Sequence, residues 1–258
     1  MRDPHVKSLT FQLKTDGSVI FKDASPLTFT TSEFAGRLDG NELVISMVEH
    51  YPSEEDARLA VEPYLCSWET NTLLDGNRLK FVFVSSDVID RNPPALGEHR
   101  IIEARAHSSS TATVSATAVI IKSSYPPPPT IFNRSPLVVA MVDRLDQYLK
   151  GGESLFTVAY YCVTAIERSA APGEEGSARK KTAAKYRIDL DVLKQVGTLS
   201  SERGSALEAR KFGRPLPSDA ERQWLEAAIR RLIRQIAAVD GGDEKAYLSM
   251  GDLPPLTP

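Results

Sequence analysis

The stretch Ser123-Ser124-Tyr125-Pro126-Pro127-Pro128-Pro129 lies near the middle of this 258-residue chain and decides how it is organised. Consecutive prolines lack amide donors and fix an extended polyproline backbone, so no helix or central strand passes through them. We interpret residues 124–133 as a short stiff linker rather than a ligand for the aromatic groove of a partner. The sequence therefore predicts a first domain over 1–123 and a second domain that begins at 134.

Before the linker, apolar residues recur with a period of two, which is typical of strands with one buried face. The segments Leu9 to Leu13 and Val19 to Phe21 flank the turn residues Asp16-Gly17 and predict a hairpin. A second hairpin is predicted for Phe34 to Leu38 and Leu43 to Met47. Further strands are predicted at 79–83 and 112–120, so domain 1–123 is rich in antiparallel β-structure.

One helix interrupts these strands. Ser53 is a typical N-cap, and the acidic residues that follow it suit the positive end of a helix dipole. Pro63 predicts a kink or a split in this helix. A stripe that packs on the sheet is formed by residues spaced three and four apart: Ala57, Val61, Tyr64, Leu65 and Trp68.

After the linker the apolar period becomes helical, which predicts an all-α bundle over 134–240. Ser135-Pro136 begins one helix, the apolar stretch Leu155 to Ile166 forms a central one, and Ser218 to Glu221 is a capping box. Residues 241–258 are predicted to form an extended tail that either frays or docks as a strap. The predicted fold class is therefore α+β, a sheet domain followed by a helical bundle.

Composition points to an ordinary globular protein. Hydrophobic residues make up 41% and charged residues 25% of the chain, whose formal net charge is −3. The longest nearly apolar run is too short to span a membrane, and two cysteines form no disulfide framework, which predicts a cytoplasmic protein. Cys66 and Cys162 lie in apolar stripes and are predicted to be buried thiols.

The charge is unevenly distributed. Residues 1–133 contain 12 basic and 17 acidic side chains, whereas 134–258 contain 19 basic and 17 acidic ones. The basic excess is concentrated in residues 177–215, which contain ten basic and four acidic residues. A polyanionic partner would therefore contact one part of the helical domain.

Residues 179–196 have the spacing of a helix-turn-helix, with small Ala183 at the helix contact and Leu193 and Val196 facing inward. Arg187 replaces the usual turn glycine, and Asp189 and Asp191 would repel DNA phosphates at the start of the second helix. The favoured interpretation is a corner of the bundle in which Asp189 is an N-cap. Sequence-specific DNA binding is the alternative.

A second motif, Leu199 to Lys211, combines hydroxyls, a glycine and basic side chains that suit an anion. A simple turn capped by Ser200 or Ser201 is the favoured interpretation, and an anion site is the alternative. The hypothetical anion-binding or nucleic-acid-binding set comprises Lys180, Lys181, Lys185, Arg187, Ser200, Ser201, Arg203, Gly204, Arg210 and Lys211.

No catalytic motif, cofactor fingerprint or metal-ligand spacing is predicted. His99, Glu103 and His107 share one strand face, but Arg105 in the same row disfavours a cation. Glu49-His50 is interpreted as a surface turn.

The stretches Glu49 to Arg58, Val61 to Leu65, Leu199 to Gly204 and Ala209 to Lys211 resemble a family of uncharacterised bacterial two-domain proteins, which implies no activity. The layout is also distantly similar to phage-defence proteins with a C-terminal HEPN ribonuclease domain. Those enzymes need a histidine in the helical half, where this chain has none, so the resemblance implies a catalytically silent relative.

The leading hypothesis is a non-enzymatic interaction protein whose helical domain has a basic, anion-binding surface, with an unknown protein or a second copy of the chain as partner. The alternative is an RNA- or DNA-binding effector that uses the same basic segment. A small-molecule enzyme is the third class, and it would need a concave pocket with titratable groups.

Overall fold

The computed structural model describes residues 3–17, 19–92, 120–173, 177–202 and 217–256. The chain divides into two compact units, 1–129 and 130–258. As expected from the α+β pattern, the first contains an antiparallel sheet and the second contains helices. The predicted strand 112–120 and the histidine row 99–107 fall on residues outside the described ones, apart from Ile120.

Unit 1 contains seven described strands and one helix. The strands are β1 (Pro4–Thr15), β2 (Val19–Phe21), β3 (Leu27–Thr30), β4 (Phe34–Asp39), β5 (Glu42–Met47), β6 (Leu79–Asp90) and β7 (Ile120–Lys122), and the helix is α1 (Glu54–Leu74). Five strands form one sheet in the order β3-β4-β5-β1-β6, and all its neighbours are antiparallel.

The two predicted hairpins have different outcomes. The β4–β5 hairpin is confirmed, with Leu38 opposite Leu43 and Gly40 in the left-handed conformation that its tight turn requires. The prediction of a β1–β2 hairpin is wrong, because β2 pairs in parallel with β7 instead. Both edges of β1 are already taken by β5 and β6, so no edge is left for β2.

Helix α1 packs on the sheet with the predicted stripe. Ser53 caps it by accepting a hydrogen bond from the Asp56 amide at 3.2 Å. Ala57, Val61, Leu65 and Trp68 are buried, while Tyr64 is half-buried against Phe29 and Phe34. The helix is not split at Pro63, because this proline is on the exposed side and its missing hydrogen bond faces water.

The proline-rich segment is anchored at both ends. Tyr125 is buried in the core of unit 1, where its hydroxyl donates to Gly40 O at 2.7 Å, and Trp68 Nε1 donates to Pro126 O at 3.1 Å. In unit 2, the Asn133 amide donates to Ala237 O at 3.0 Å.

Unit 2 contains α2 (Pro136–Leu149), α3 (Leu155–Ala170), α4 (Ala178–Tyr186), α5 (Leu190–Glu202) and α6 (Asp219–Asp240). The central position expected for α3 is confirmed, since it contacts α2, α4, α5 and α6. The capping box of Ser218 and Glu221 is also confirmed. Beyond α6, Leu248 is buried and pairs with Ile188, and Met250–Asp252 forms a 3-10 turn.

Candidate functional site

Helices α4 and α5 are joined by a tight turn at the place where the sequence predicts a bundle corner or a helix-turn-helix. Helix α4 ends at Arg187, whose φ of 53° and ψ of 51° place it in the left-handed region usually taken by glycine. The Ile188 amide then donates to Ala183 O at 3.0 Å and closes the turn. Side chains of this corner that face the bundle interior and are buried include Thr182, Tyr186, Ile188, Val192, Leu193 and Val196.

The turn is held by the segment 243–248 and by α6. The Leu248 amide donates to Arg187 O at 3.0 Å, and Leu248 O accepts from the Asp189 amide at 2.8 Å. Arg187 Nη1 donates to Asp243 O at 2.7 Å, while Gln235 Nε2 donates to Tyr186 O at 2.9 Å. Arg187 is therefore part of the connection between the turn and the C-terminal segment.

The first turn of α5 is acidic on its solvent side. Asp189 Oδ1 accepts from the Asp191 amide at 3.0 Å, so Asp189 caps the helix start. Asp191 is exposed and lies 2.8 Å from the ammonium of Lys194. A helix that read bases in a groove would bring these two carboxylates towards phosphates, which opposes that mode of binding.

Helix α4 carries the basic charge of this corner. It contains four basic residues and no acidic one. Arg179 is used internally: its Nε donates to Glu167 Oε1 at 2.7 Å, and its guanidinium lies over Gly197, where a Cβ would be only 3.0 Å from Nη2. Gly197 thus leaves room for this ion pair between α3 and α4.

The three lysines of α4 are exposed. Lys185 Nζ donates to Ser169 O at 3.0 Å and lies 4.8 Å from the centre of the Tyr186 ring, which orients its ammonium. Lys181 is one helical turn before Lys185, and Lys180 is next to it. Their ammonium groups form the lysine face of α4, defined as Lys180, Lys181 and Lys185.

The remaining predicted residues do not join this face. The hydroxyls of Ser200 and Ser201 both donate to Gly197 O, at 3.2 and 2.7 Å. Both hydroxyls are therefore hydrogen-bonded within their own helix. Ser200 is also buried. Four predicted residues lie outside the described ones: Arg203, Gly204, Arg210 and Lys211.

Sequence reasoning missed a histidine cluster in unit 1. His5 and His50 are stacked with ring centres 5.4 Å apart, and His50 Nε2 lies 3.1 Å from Asp3 Oδ1. The residues are 45 positions apart along the chain, and only the pairing of β1 with the segment before α1 brings them together. The local sequence contains no signal for this contact.

Of the two thiols predicted to be buried, Cys162 is buried and Cys66 is only half-buried. Burial raises the pKa of the Cys162 thiol to about 12, with a smaller contribution from the carboxylate of Glu153. Such a thiol is protonated at neutral pH and is a poor nucleophile. Among the described residues, no group of three or more His, Cys, Asp and Glu side chains is arranged to hold a metal ion.

None of the helices formed by described residues combines the length and the apolar character that crossing a membrane requires.

Comparisons with protein-family models, with curated proteins and with solved structures found no match to this chain. The resemblance to a bacterial two-domain family, and the HEPN-like layout, therefore stay predictions.

Proposed function

We propose that this chain is a non-enzymatic binding protein whose helical unit binds a polyanion through the lysine face of α4. One observation carries the proposal: α4 places three exposed ammonium groups on a helix without an acidic residue, while its arginine is used in the internal pair with Glu167.

The spacing of these lysines suits a chain of phosphates. From Lys180 to Lys185 the helix rises about 7.5 Å, at roughly 1.5 Å per residue. Two steps of the 3.4 Å rise per nucleotide of one strand in duplex DNA cover about the same distance, so the face spans three successive phosphates. We therefore choose nucleic acid as the first polyanion to test, which is the RNA- or DNA-binding alternative.

Binding of this kind is expected to be insensitive to base sequence. Lysines contact phosphates as point charges, whereas base reading needs side chains that enter a groove. The acidic first turn of α5 disfavours entry into a groove. The backbone groups of the turn are also already hydrogen-bonded to the segment 243–248. An acidic surface on a protein partner or on a second copy would use the same lysine face.

The test is the salt dependence of binding to fluorescein-labelled oligonucleotides, measured by anisotropy with single-stranded RNA and with duplex DNA. If three phosphates are contacted on duplex DNA, affinity falls about 40-fold between 50 and 200 mM salt, from a slope of about −0.9 per contact. The double variant Lys180→Glu with Lys181→Glu should reduce the magnitude of the salt slope by about 2, because two of the three contacts are lost. It leaves Lys185 and its bond to Ser169 intact.

The matched control is Lys150→Glu with Lys245→Glu, which makes the same charge change at exposed lysines elsewhere in unit 2. This control should keep most of the affinity. Equal loss in both variants would mean that only net charge matters and would contradict the assignment to α4. Absence of salt-dependent binding to both oligonucleotides and to an acidic polypeptide such as polyglutamate would refute polyanion binding.

A further inference from the structure

The histidine cluster of unit 1 combines a buried ring and an exposed ring. His5 is 5% exposed, and its Nδ1 is buried without a hydrogen-bond partner. His50 stacks on it with an angle of 19° between the ring planes, and its side chain is 39% exposed. Two imidazoles in contact therefore differ sharply in their access to water.

His50 joins the segment before α1 to the start of β1. Its Nε2 lies 3.1 Å from Pro4 O and 3.1 Å from Asp3 Oδ1. Both of these oxygens are acceptors, so this nitrogen must carry a hydrogen and donate it. The Val6 amide makes a second link by donating to Tyr51 O at 2.9 Å.

The start of β1 is also joined to the end of β6. The Asp3 amide donates to Asp90 Oδ1 at 3.0 Å, and the Arg91 amide donates to Asp3 O at 2.9 Å. His5 lies opposite Ile89 in this pairing. The strand start is therefore held from both sides, and the His5 ring is buried against His50.

Charge on His5 is unfavourable in this closed arrangement. Burial lowers the pKa of His5, the Arg91 cation and the adjacent His50 lower it further, and Asp3 opposes them. The titratable or charged groups around the cluster come from the chain start, the segment before α1, the loop before β4 and the end of β6: Asp3, Glu33, Glu49, His50, Tyr51, Asp90 and Arg91.

We propose that His5 and His50 form a pH-sensitive latch that holds the start of β1 closed at neutral pH and releases it in acid. The closed state binds a proton on His5 less readily than the open state, in which the ring is exposed to water. Because the open state binds more protons between the lowered closed-state pKa and the ordinary value of about 6.5, falling pH favours opening in that window. Well above pH 6.5 His5 is mostly neutral in both states, and the latch becomes insensitive to pH.

The expected size of the effect follows from one proton. Between pH 7.5 and pH 5.5 the opening constant grows by at most about ten-fold, a limit that is reached when the closed state binds no proton on His5 in this range. The measurement is amide hydrogen exchange of Val6, corrected for the intrinsic exchange rate at each pH. Leu13 is the matched control, because its amide donates to Asn41 O at 2.8 Å near the other end of the same strand.

His5→Phe keeps an aromatic ring and removes the titrating group, and Nδ1 gives up no hydrogen bond in this substitution. We expect this variant to lose the rise in Val6 exchange on going from pH 7.5 to pH 5.5. Parallel changes at Val6 and Leu13, or a rise at Val6 that persists in the variant, would overturn the latch.

An NMR titration of the His5 ring in the unmodified protein provides a test that does not depend on the variant folding. The proposal requires His5 to titrate below 6.5 together with the Val6 amide shift. Titration at or above 6.5 would refute it.

Discussion

Arg187 has a left-handed backbone at the junction of α4 and α5, and this conformation can be tested by comparing two substitutions. Arg187→Gly and Arg187→Ala both remove the bond from Nη1 to Asp243 O. They differ in what the backbone tolerates, because alanine keeps a Cβ and glycine does not. The comparison therefore separates backbone strain from loss of the side chain.

The expected difference can be worked from the conformation. A left-handed backbone costs a residue with a Cβ about 1–2 kcal/mol, which glycine avoids. Glycine loses roughly 0.5–1 kcal/mol more backbone entropy on folding than alanine does. The free energy of unfolding should therefore be higher for Arg187→Gly than for Arg187→Ala, by about 0.75 kcal/mol at the middle of these ranges and by about 1.5 kcal/mol at most.

The matched control is Ala184→Gly, at an exposed position inside α4. There the order reverses, and glycine should lower the free energy of unfolding by about 1 kcal/mol relative to alanine. Glycine is therefore expected to stabilise unit 2 relative to alanine at position 187 and to destabilise it relative to alanine at position 184.

The assay is urea unfolding followed by the indole N–H signals in NMR spectra. The chain has two tryptophans, and the structure buries Trp68 in unit 1 and Trp224 in unit 2. With a slope of about 2 kcal/mol per molar urea, a difference of about 0.75 kcal/mol moves the Trp224 midpoint by roughly 0.4 M. The Trp68 midpoint serves as an internal reference. A lower Trp224 midpoint for Arg187→Gly than for Arg187→Ala would refute the left-handed turn.

Two further substitutions test the core of unit 1. Gly36→Ala should lower its free energy of unfolding by about 1–3 kcal/mol, measured from the Trp68 signal, because a Cβ would overlap the Phe29 ring on the neighbouring strand; a neutral result would contradict this packing. Tyr125→Phe should cost about 1 kcal/mol in the same assay through the lost bond to Gly40 O, and an unchanged midpoint would argue against a docked Tyr125.

Local patterns were sufficient for most of the elements. The β4–β5 hairpin follows from alternation around a two-residue turn, and α1 follows from the Ser53 cap and a helical stripe. Both signals arise between residues a few positions apart, where backbone geometry alone relates the side chains. The basic character of α4 is likewise evident from its composition.

Pairing between distant segments could not be predicted in the same way. The alternation of Val19 to Phe21 shows a strand, but its partner β7 lies about a hundred residues later. Ser200 and Ser201 have suitable chemistry for an anion, yet both hydroxyls turn back to Gly197 O. Composition cannot show whether a polar group is satisfied internally or points to solvent.

By itself the sequence determined an α+β chain with a sheet part, a proline-rich segment and a helical part, because periodicity and capping are local properties. Only the tertiary structure decided that β2 pairs with β7 and not with β1, that Arg187 bonds to the segment 243–248, and that His5 stacks on His50. These contacts depend on which strand edges are already occupied and on how distant segments are brought together. Side-chain type alone does not encode that information.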